Sequence, residues 1–306
     1  MSSQIFTHAK ATEMDEIVKI NLIGRGTSHI LNEPVPAILT VVNTGTVPIE
    51  LLLPYPNPNN LIFKCLGDVV LTKPLEQNQP ERTVPLHLEP GEEVQKIYYL
   101  NRYLSFASAG RYLVSYFLEL PITIQMDSGE KHEVLLKNGS FDISIEGDFE
   151  EKLQKILDQY SIILGHPDPE KRNEAAEALF FLDTPLVIPY LRKMLAISGM
   201  EQQSILALGR HAASKEIIES LSNVLDHPEA AVVGTALTEL DKINADVPRG
   251  KVHLLLKSRN ASIRLLGINW LAFHHNENDI EFVTPLLEDS NPVVKEKATD
   301  LYRLYR

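Results

Sequence analysis

Lys171-Arg172-Asn173-Glu174-Ala175-Ala176-Glu177-Ala178-Leu179 recurs in altered letters at Met200–Leu208, Val232–Leu240, Ile263–Leu271 and Val294–Tyr302. The shared frame is approximately an aliphatic residue, a basic residue, two free positions, a small residue and, four places on, a leucine. The small residues are Ala175, Ser204, Ala236, Gly267 and Ala298, spaced by 29, 32, 31 and 31 residues. Leu179, Leu208, Leu240, Leu271 and Tyr302 follow them. Positions i and i+4 share one face of a helix. A small residue there lets a second helix come close, and the apolar residue fills the space beside it. Five such helices in register at this period predict a stack of repeated helical units.

Each of the first four units adds a second helix, expected at Pro185–Leu195, Ser214–Leu225, Arg249–Lys257 and Asp279–Glu288. His166-Pro167-Asp168-Pro169, Asp226-His227-Pro228-Glu229 and Asp289-Ser290-Asn291-Pro292 separate units. Proline is tolerated in a helix's first turn because its missing N–H would have no partner there. The histidines recur at equivalent turns, which favours a capping role over catalysis.

This half, about 165–306, resembles HEAT repeats of the short bacterial type also seen in phycobilisome-lyase-like proteins. The resemblance implies an α-α solenoid. Glu201 and Val233 stand where the family has a basic residue, which puts inter-repeat ion pairs in doubt at those two units. The fifth unit has one helix and is expected to act as the terminal cap. Such a solenoid offers a concave surface lined by its second helices. Aligning them on Leu191, Leu221, Val252 and Val283 as buried turns Tyr190, Lys193, Ser220, Asn223, Lys251 and Phe282 toward the groove.

The first half has a different grammar. From Ile17 to about Ile145, short apolar runs alternate with turn clusters, which predicts β-structure. Strands are expected at Ile17–Leu22, Pro36–Val42, Ile49–Leu53, Leu61–Cys65, Asp68–Leu71, Thr83–Leu88, Val94–Leu100, Arg111–Leu120, His132–Leu136 and Ser140–Ile145. Eleven of the 19 prolines precede residue 149, mostly between these runs, where a missing N–H costs little. Many short strands at this spacing suggest a sandwich or barrel. Two stretches go beyond class: Val41-Val42-Asn43-Thr44-Gly45-Thr46-Val47-Pro48-Ile49-Glu50, and Leu88-Glu89-Pro90-Gly91-Glu92 leading to Ala109-Gly110-Arg111-Tyr112-Leu113-Val114. Both resemble immunoglobulin-like modules of bacterial and fungal secreted proteins, including the non-catalytic domain of deuterolysin-type metalloproteases and bacterial proteinase-inhibitor sandwiches.

The expected fold is therefore multidomain: an immunoglobulin-like antiparallel β-sandwich over 1–147, then a HEAT-like α-α solenoid over 148–306. The change of period at Gly147-Asp148 marks the boundary, with Asp148 as a candidate N-cap.

The formal net charge of −12 is shared, with 11 basic against 18 acidic residues over 1–148 and 18 against 23 over 149–306. Neither half carries the basic field expected of nucleic-acid binding. The single cysteine, Cys65, excludes an intrachain disulfide and favours a reducing compartment. Its apolar neighbours Ile62, Phe63 and Leu66 point to a structural thiol. With no apolar leader and no apolar run near the ~20 residues of a membrane span, a cytoplasmic location is expected.

Catalytic signatures are missing from the sequence. There is no His-Glu-x-x-His metalloprotease helix, and Gly24-Arg25-Gly26-Thr27 lacks the ending of a phosphate loop. His274-His275 could share a metal with Glu277 or Asp279, but without a recognisable ligand spacing a solvated loop is the better reading. Trp270, Phe273 and Leu254-Leu255-Leu256 read as core. The expectation is a non-catalytic adaptor or scaffold, with no metal and no cofactor, that binds a protein partner through the solenoid groove or the sandwich loops. The alternatives are a lyase-like enzyme subunit, implied by the repeat resemblance, and a protease inhibitor acting through a loop such as Leu53–Asn60.

Overall fold

The computed structural model describes residues 17–26, 28–53, 60–66, 70–72, 85–126, 129–147 and 149–305. The chain forms two compact units, Met1–Gln159 and Tyr160–Arg306. Strand gives way to helix after Glu146, and the division between units falls a little later, inside the first helix.

The N-terminal unit is built of largely antiparallel sheets. One has the order β1 (Val18–Gly24), β3 (Pro36–Asn43), β8 (Glu93–Tyr99). The larger runs β2 (Ser28–Ile30), β11 (Gly129–Glu146), β10 (Gly110–Met126), β4 (Ile49–Leu51), β7 (Leu86–Leu88), with β5 (Leu61–Leu66) also on β10. Among the described residues only the short β2–β11 pairing is parallel. A two-stranded ribbon joins β6 (Val70–Thr72) to β9 (Leu104–Phe106). Alternation does the work that the sequence suggested. Val18, Ile20 and Leu22 of β1 and Ala37, Leu39 and Val41 of β3 are buried, and one hydrophobic cluster joins them to Leu51, Phe63, Val114, Leu118, Leu120 and Ile143 of the larger sheet.

The two quoted stretches meet at one corner. Asn43, wholly buried, donates from Nδ2 to the carbonyls of Val47 and Leu88 at 3.0 Å each, and its Oδ1 accepts from the Gly45 N–H at 3.0 Å. Glu89-Pro90-Gly91-Glu92 closes with Glu92 N–H to Glu89 O at 3.0 Å, and Gly91 takes φ +83°. Proline second and a positive-φ glycine third is the chemistry of a type II turn. The Gly91 N–H then donates to Asn43 O at 2.8 Å. At Gly110-Arg111-Tyr112, the buried Tyr112 hydroxyl donates back to Ser108 O at 2.6 Å.

Some strands depart from expectation. The runs His132–Leu136 and Ser140–Ile145 are one strand, β11, continuous through Lys137-Asn138-Gly139. Gly139 lies opposite Tyr116, and a Cβ on it would stand 2.6 Å from the tyrosine hydroxyl oxygen. An aromatic laid over a cross-strand glycine supplies the cover that glycine lacks. Strands β2 and β9 were not anticipated, each being three residues long. Of the expected strands, positions 68, 69, 83 and 84 lie outside the described residues, as do most of the Leu53–Asn60 loop and Asp148.

The C-terminal region is helical: α1 (Glu150–Leu164), α2 (Pro169–Phe180), α3 (Ile188–Met194), α4 (Glu201–Leu208), α5 (Lys215–Val224), α6 (Ala230–Lys242), α7 (Arg249–Leu255), α8 (Ala261–Phe273), α9 (Ile280–Val283) and α10 (Pro292–Leu304). The five repeat segments fall on α2, α4, α6, α8 and α10, and each packs on the next of that series. The last four also pack on the preceding second helix, α4 on α3, α6 on α5, α8 on α7 and α10 on α9. Here the small residues act. Ser204 Oγ donates to Leu191 O on α3, and a Cβ on Gly267 would lie 3.2 Å from Leu255 Cβ. No helix among the described residues is long and apolar enough to cross a membrane.

The turns before α2, α8 and α10 share one geometry, and the turn before α6 has part of it. Asp168 caps α2 from Oδ1 to Glu170 N–H at 2.9 Å, Asn260 caps α8 to Ser262 at 3.0 Å, and Asn291 caps α10 to Val293 at 3.0 Å. Two residues upstream, His166 Nδ1, Ser258 Oγ and Asp289 Oδ1 accept the N–H of the capping residue at 3.0, 3.2 and 2.8 Å, and His227 does the same for Glu229 at 3.2 Å. The repeat's basic residue closes the turn: Arg172 Nη1 donates to His166 O and Pro167 O, and Arg264 Nη1 to Ser258 O and Arg259 O. Arg264 also holds Asp289 at 2.7 and 2.8 Å, tying one unit to the next.

Candidate functional site

The second helices take their orientation from four anchors. Leu191, Leu221, Val252 and Val283 are all fully buried. Of the candidate groove residues, two are buried: Tyr190 is 3% and Ser220 is 7% exposed. Ser220 Oγ spends its proton on Glu216 O within its own helix. Lys251 is half-buried and ion-paired to Asp226, and Phe282 is half-buried with its ring stacked 3.6 Å from that of His253. Lys193 and Asn223 are exposed.

Exposure follows the position two residues after each anchor, about 200° around the helix. This row is Lys193, Asn223, Leu254 and Pro285, all exposed. Lys193 lies 5.1 Å from the Tyr190 ring centroid and donates to Ser161 Oγ at 3.2 Å. Leu254 corrects the reading of Leu254-Leu255-Leu256 as core: Leu255 and Leu256 are 3% exposed, but Leu254 is 55% exposed. Lys257 stands near it, 5.8 Å from the Phe282 ring centroid. Phe273, also expected in the core, is 87% exposed, while Trp270 is buried.

Around Asp279 lies a polar cluster that sequence reading did not assemble. Asp279 has no exposed surface. It accepts from Arg249 Nε and Nη2, and His253 Nε2 lies 2.8 Å from its Oδ1. Burial pushes this carboxyl's pKa up, but the Arg249 and His253 hydrogen bonds outweigh burial and hold it below the usual range. Arg249 also donates to His274 O and lies over the Trp270 ring at 5.7 Å. His274 stacks on Trp270 at 3.9 Å, and both reach Asp241, at 3.3 and 3.2 Å. The Tyr305 hydroxyl is enclosed near Asp279 without reaching hydrogen-bonding geometry, and burial together with that negative charge pushes its pKa up to about 12.

The His274-His275 pair is divided by this arrangement. His274 belongs to the Trp270–Asp241 cluster, whereas the His275 ring lies 4.7 Å from that of Tyr305. Asp279, once a candidate to share a metal with the pair, is engaged by Arg249 and His253. Among the described residues no three His, Cys, Asp or Glu side chains converge as a metal site would require. Cys65 is half-buried on β5, and burial pushes its thiol up.

No family model and no curated protein matches the chain. Solved structures similar to it include AggA, the major subunit of aggregative adherence fimbriae type I from Escherichia coli, at 5% identity and TM-score 0.25, covering 42% of this chain and 95% of that one. Salmonella alpha-2-macroglobulin reacted with methylamine follows at 11% identity and TM-score 0.23, covering 94% of this chain and 26% of that one. A point mutant of the same macroglobulin stands at 12% identity and TM-score 0.24, with coverages of 94% and 26%. This chain thus spans about a quarter of the macroglobulin chains it matches.

Proposed function

We propose that the chain is a non-catalytic protein-binding module, an immunoglobulin-like β-sandwich joined to a HEAT-type α-solenoid that takes a protein partner on the outward row of its second helices. The sandwich reading is supported by two sheets sharing one apolar cluster and by Tyr112 bonding back to Ser108 O, the contact of a tyrosine corner. The solenoid reading is supported by serial packing of α2, α4, α6, α8 and α10 and by the repeated capping geometry. A reducing, cytoplasmic setting fits a chain with one cysteine, and half-buried at that.

The observation that carries the binding reading is Leu254. An aliphatic side chain 55% exposed, in one row with Lys193 and Asn223 and near Lys257, offers an apolar contact with a polar rim. An apolar centre within a polar rim is the general layout of protein interfaces.

The test places a photocrosslinking residue at Leu254 or Asn223 in the whole chain, with Thr238 on α6 as control. A defined adduct from 254 and 223, absent from 238 and suppressed by K193E with K257E, supports the proposal. Adducts of equal yield from all three sites, or from 238 alone, would overturn it.

A further inference from the structure

A second surface lies in the β unit, on the edge of β11. This strand is 18 residues long, and β10 pairs with it from Gly129 to Ile145. Its other edge meets only β2 among the described residues, and only at Ser144–Glu146. The preceding part of that edge presents backbone N–H and C=O groups to no described strand. Open edges of this length invite another strand, and proteins ordinarily blunt them.

Charged residues stand along the edge, Lys131 and Glu133 paired at 3.1 Å, but two exposed apolar side chains lie between Glu133 and Lys137. Val134 is 53% and Leu136 is 60% exposed, on the outward face of the sheet. Their neighbours on that face include Phe117 and Leu113 of β10, opposite Asn138 and Asp142 and still 38% and 39% exposed. An apolar patch therefore reaches the edge itself, as at interaction surfaces. Leu135, between the two, is buried inward.

The order of residues identifies the occupant. Glu133-Val134-Leu135-Leu136-Lys137 reads as its own complement when reversed. Antiparallel pairing with a second copy about a two-fold axis through Leu135 sets Glu133 opposite Lys137 twice and Val134 opposite Leu136 twice. Both sheets then keep the same face inward, because directly paired residues share a face. A centre at Val134 would oppose Lys131 with Lys137, and one at Leu136 would oppose Glu130 with Asp142. Like charges directly opposite are destabilising, so the register is chosen as well as the partner.

We propose that the chain forms a two-fold homodimer by antiparallel pairing of β11 with β11 of a second copy, centred on Leu135, making one continuous sheet with the Val134–Leu136 patches adjoined. The contact is isologous, and it closes on itself without propagating.

Sedimentation velocity of the full chain over about 1–100 μM is the test, with circular dichroism to verify that each variant folds. The wild-type chain is expected to dimerise. E133K and K137E should each weaken self-association roughly tenfold or more, since each makes two like-charge pairs. Mixed one to one, the two variants should associate again, because each then supplies the charge that the other needs. A wild-type chain monomeric at every concentration, or a dimer indifferent to both reversals, would overturn the proposal. So would a chain that dimerises only after residues 1–16 are removed, which would assign the edge to the chain's own N-terminal segment.

Discussion

The carboxylate of Asp279 accepts three contacts from Arg249, two from Nε at 2.8 and 3.1 Å and one from Nη2 at 2.7 Å, with no exposed surface of its own. Arg249 opens α7 and Asp279 precedes α9, so the pair joins two successive repeat units. Removing one member of a buried pair strands the other. Because Arg249 keeps 32% exposure, D279A is expected at the low end of that range, about 3 kcal/mol. A thermal melt should show a loss of about 6–12 °C. R249M/D279L, which removes both charges, should recover most of it.

The same pair sets an acid limit. Asp279 and Asp289 both titrate below the ordinary carboxylate value, Asp279 because its hydrogen bonds outweigh burial and Asp289 chiefly through its hydrogen bonds from Arg264. A depressed folded pKa means that the unfolded chain takes the proton first. This stabilisation is present above about pH 3.9, the unfolded value, and is lost as pH falls through the lower folded values. D279N should be less stable than wild type at neutral pH and should show a shallower fall in stability between about pH 4 and 2. Denaturant unfolding across that window measures both.

Tyr305 predicts the opposite limb. Burial and the Asp279 charge raise its hydroxyl to about 12. A raised folded value leaves its contribution intact below the unfolded value of about 10, and the contribution is lost as pH rises toward 12. Ultraviolet titration of wild type against Y305F should assign the last phenolate transition to this residue. Stability of Y305F should fall less steeply above about pH 10.

Much of this fold was legible because period and spacing carry it. The small residues at 175, 204, 236, 267 and 298 fell on the predicted helices, and the alternation in β1 and β3 marked their inner faces. What was illegible depended on neighbours. Leu254 and Phe273 are apolar letters in apolar runs, yet their positions on the helix turn them outward. Tyr190 and Ser220 lie one position before an anchor and are buried, which the period of their own helices does not require. His132–Leu136 and Ser140–Ile145 read as separate strands, yet one strand runs through Gly139, opposite Tyr116. The Asp279 cluster draws on residues from 241 to 305 that no local motif links.

Glycines separate two kinds of position in the helices. A Cβ on Gly209 would lie 2.2 Å from Glu239 Oε2 and 2.9 Å from Glu239 Cβ, and one on Gly267 would lie 2.9 Å from Leu256 Cδ2 and 3.2 Å from Leu255 Cβ. Around Gly250, in α7, there is open space. Alanine gains about 1 kcal/mol of helix propensity over glycine, and overpacking costs about 1–3. G250A should therefore stabilise by about 0.5–1 kcal/mol, whereas G209A and G267A should destabilise, G209A the more. Chemical denaturation of the three variants orders them.

In the β unit, Asn43 holds what two separate turns would otherwise leave loose. Its amide bonds Val47 O, Leu88 O and the Gly45 N–H, while its backbone carbonyl takes the Gly91 N–H. Asn43→Ala removes the side-chain bonds to the Val47 and Leu88 carbonyls, while the Gly45 N–H keeps its bond to Ile17 O at 3.0 Å. Each unsatisfied buried group costs about 1–3 kcal/mol, so a loss of about 3 kcal/mol is expected after water repairs the most accessible of them. Asn43→Asp keeps the acceptor for Gly45 but presents oxygen to two carbonyls, and it should be at least as damaging. Amide hydrogen exchange distinguishes a local from a global effect. Faster exchange confined to Gly45, Gly91 and Glu92 would mean the corner opens alone, whereas faster exchange through β3 and β8 would mean that Asn43 secures the sheet.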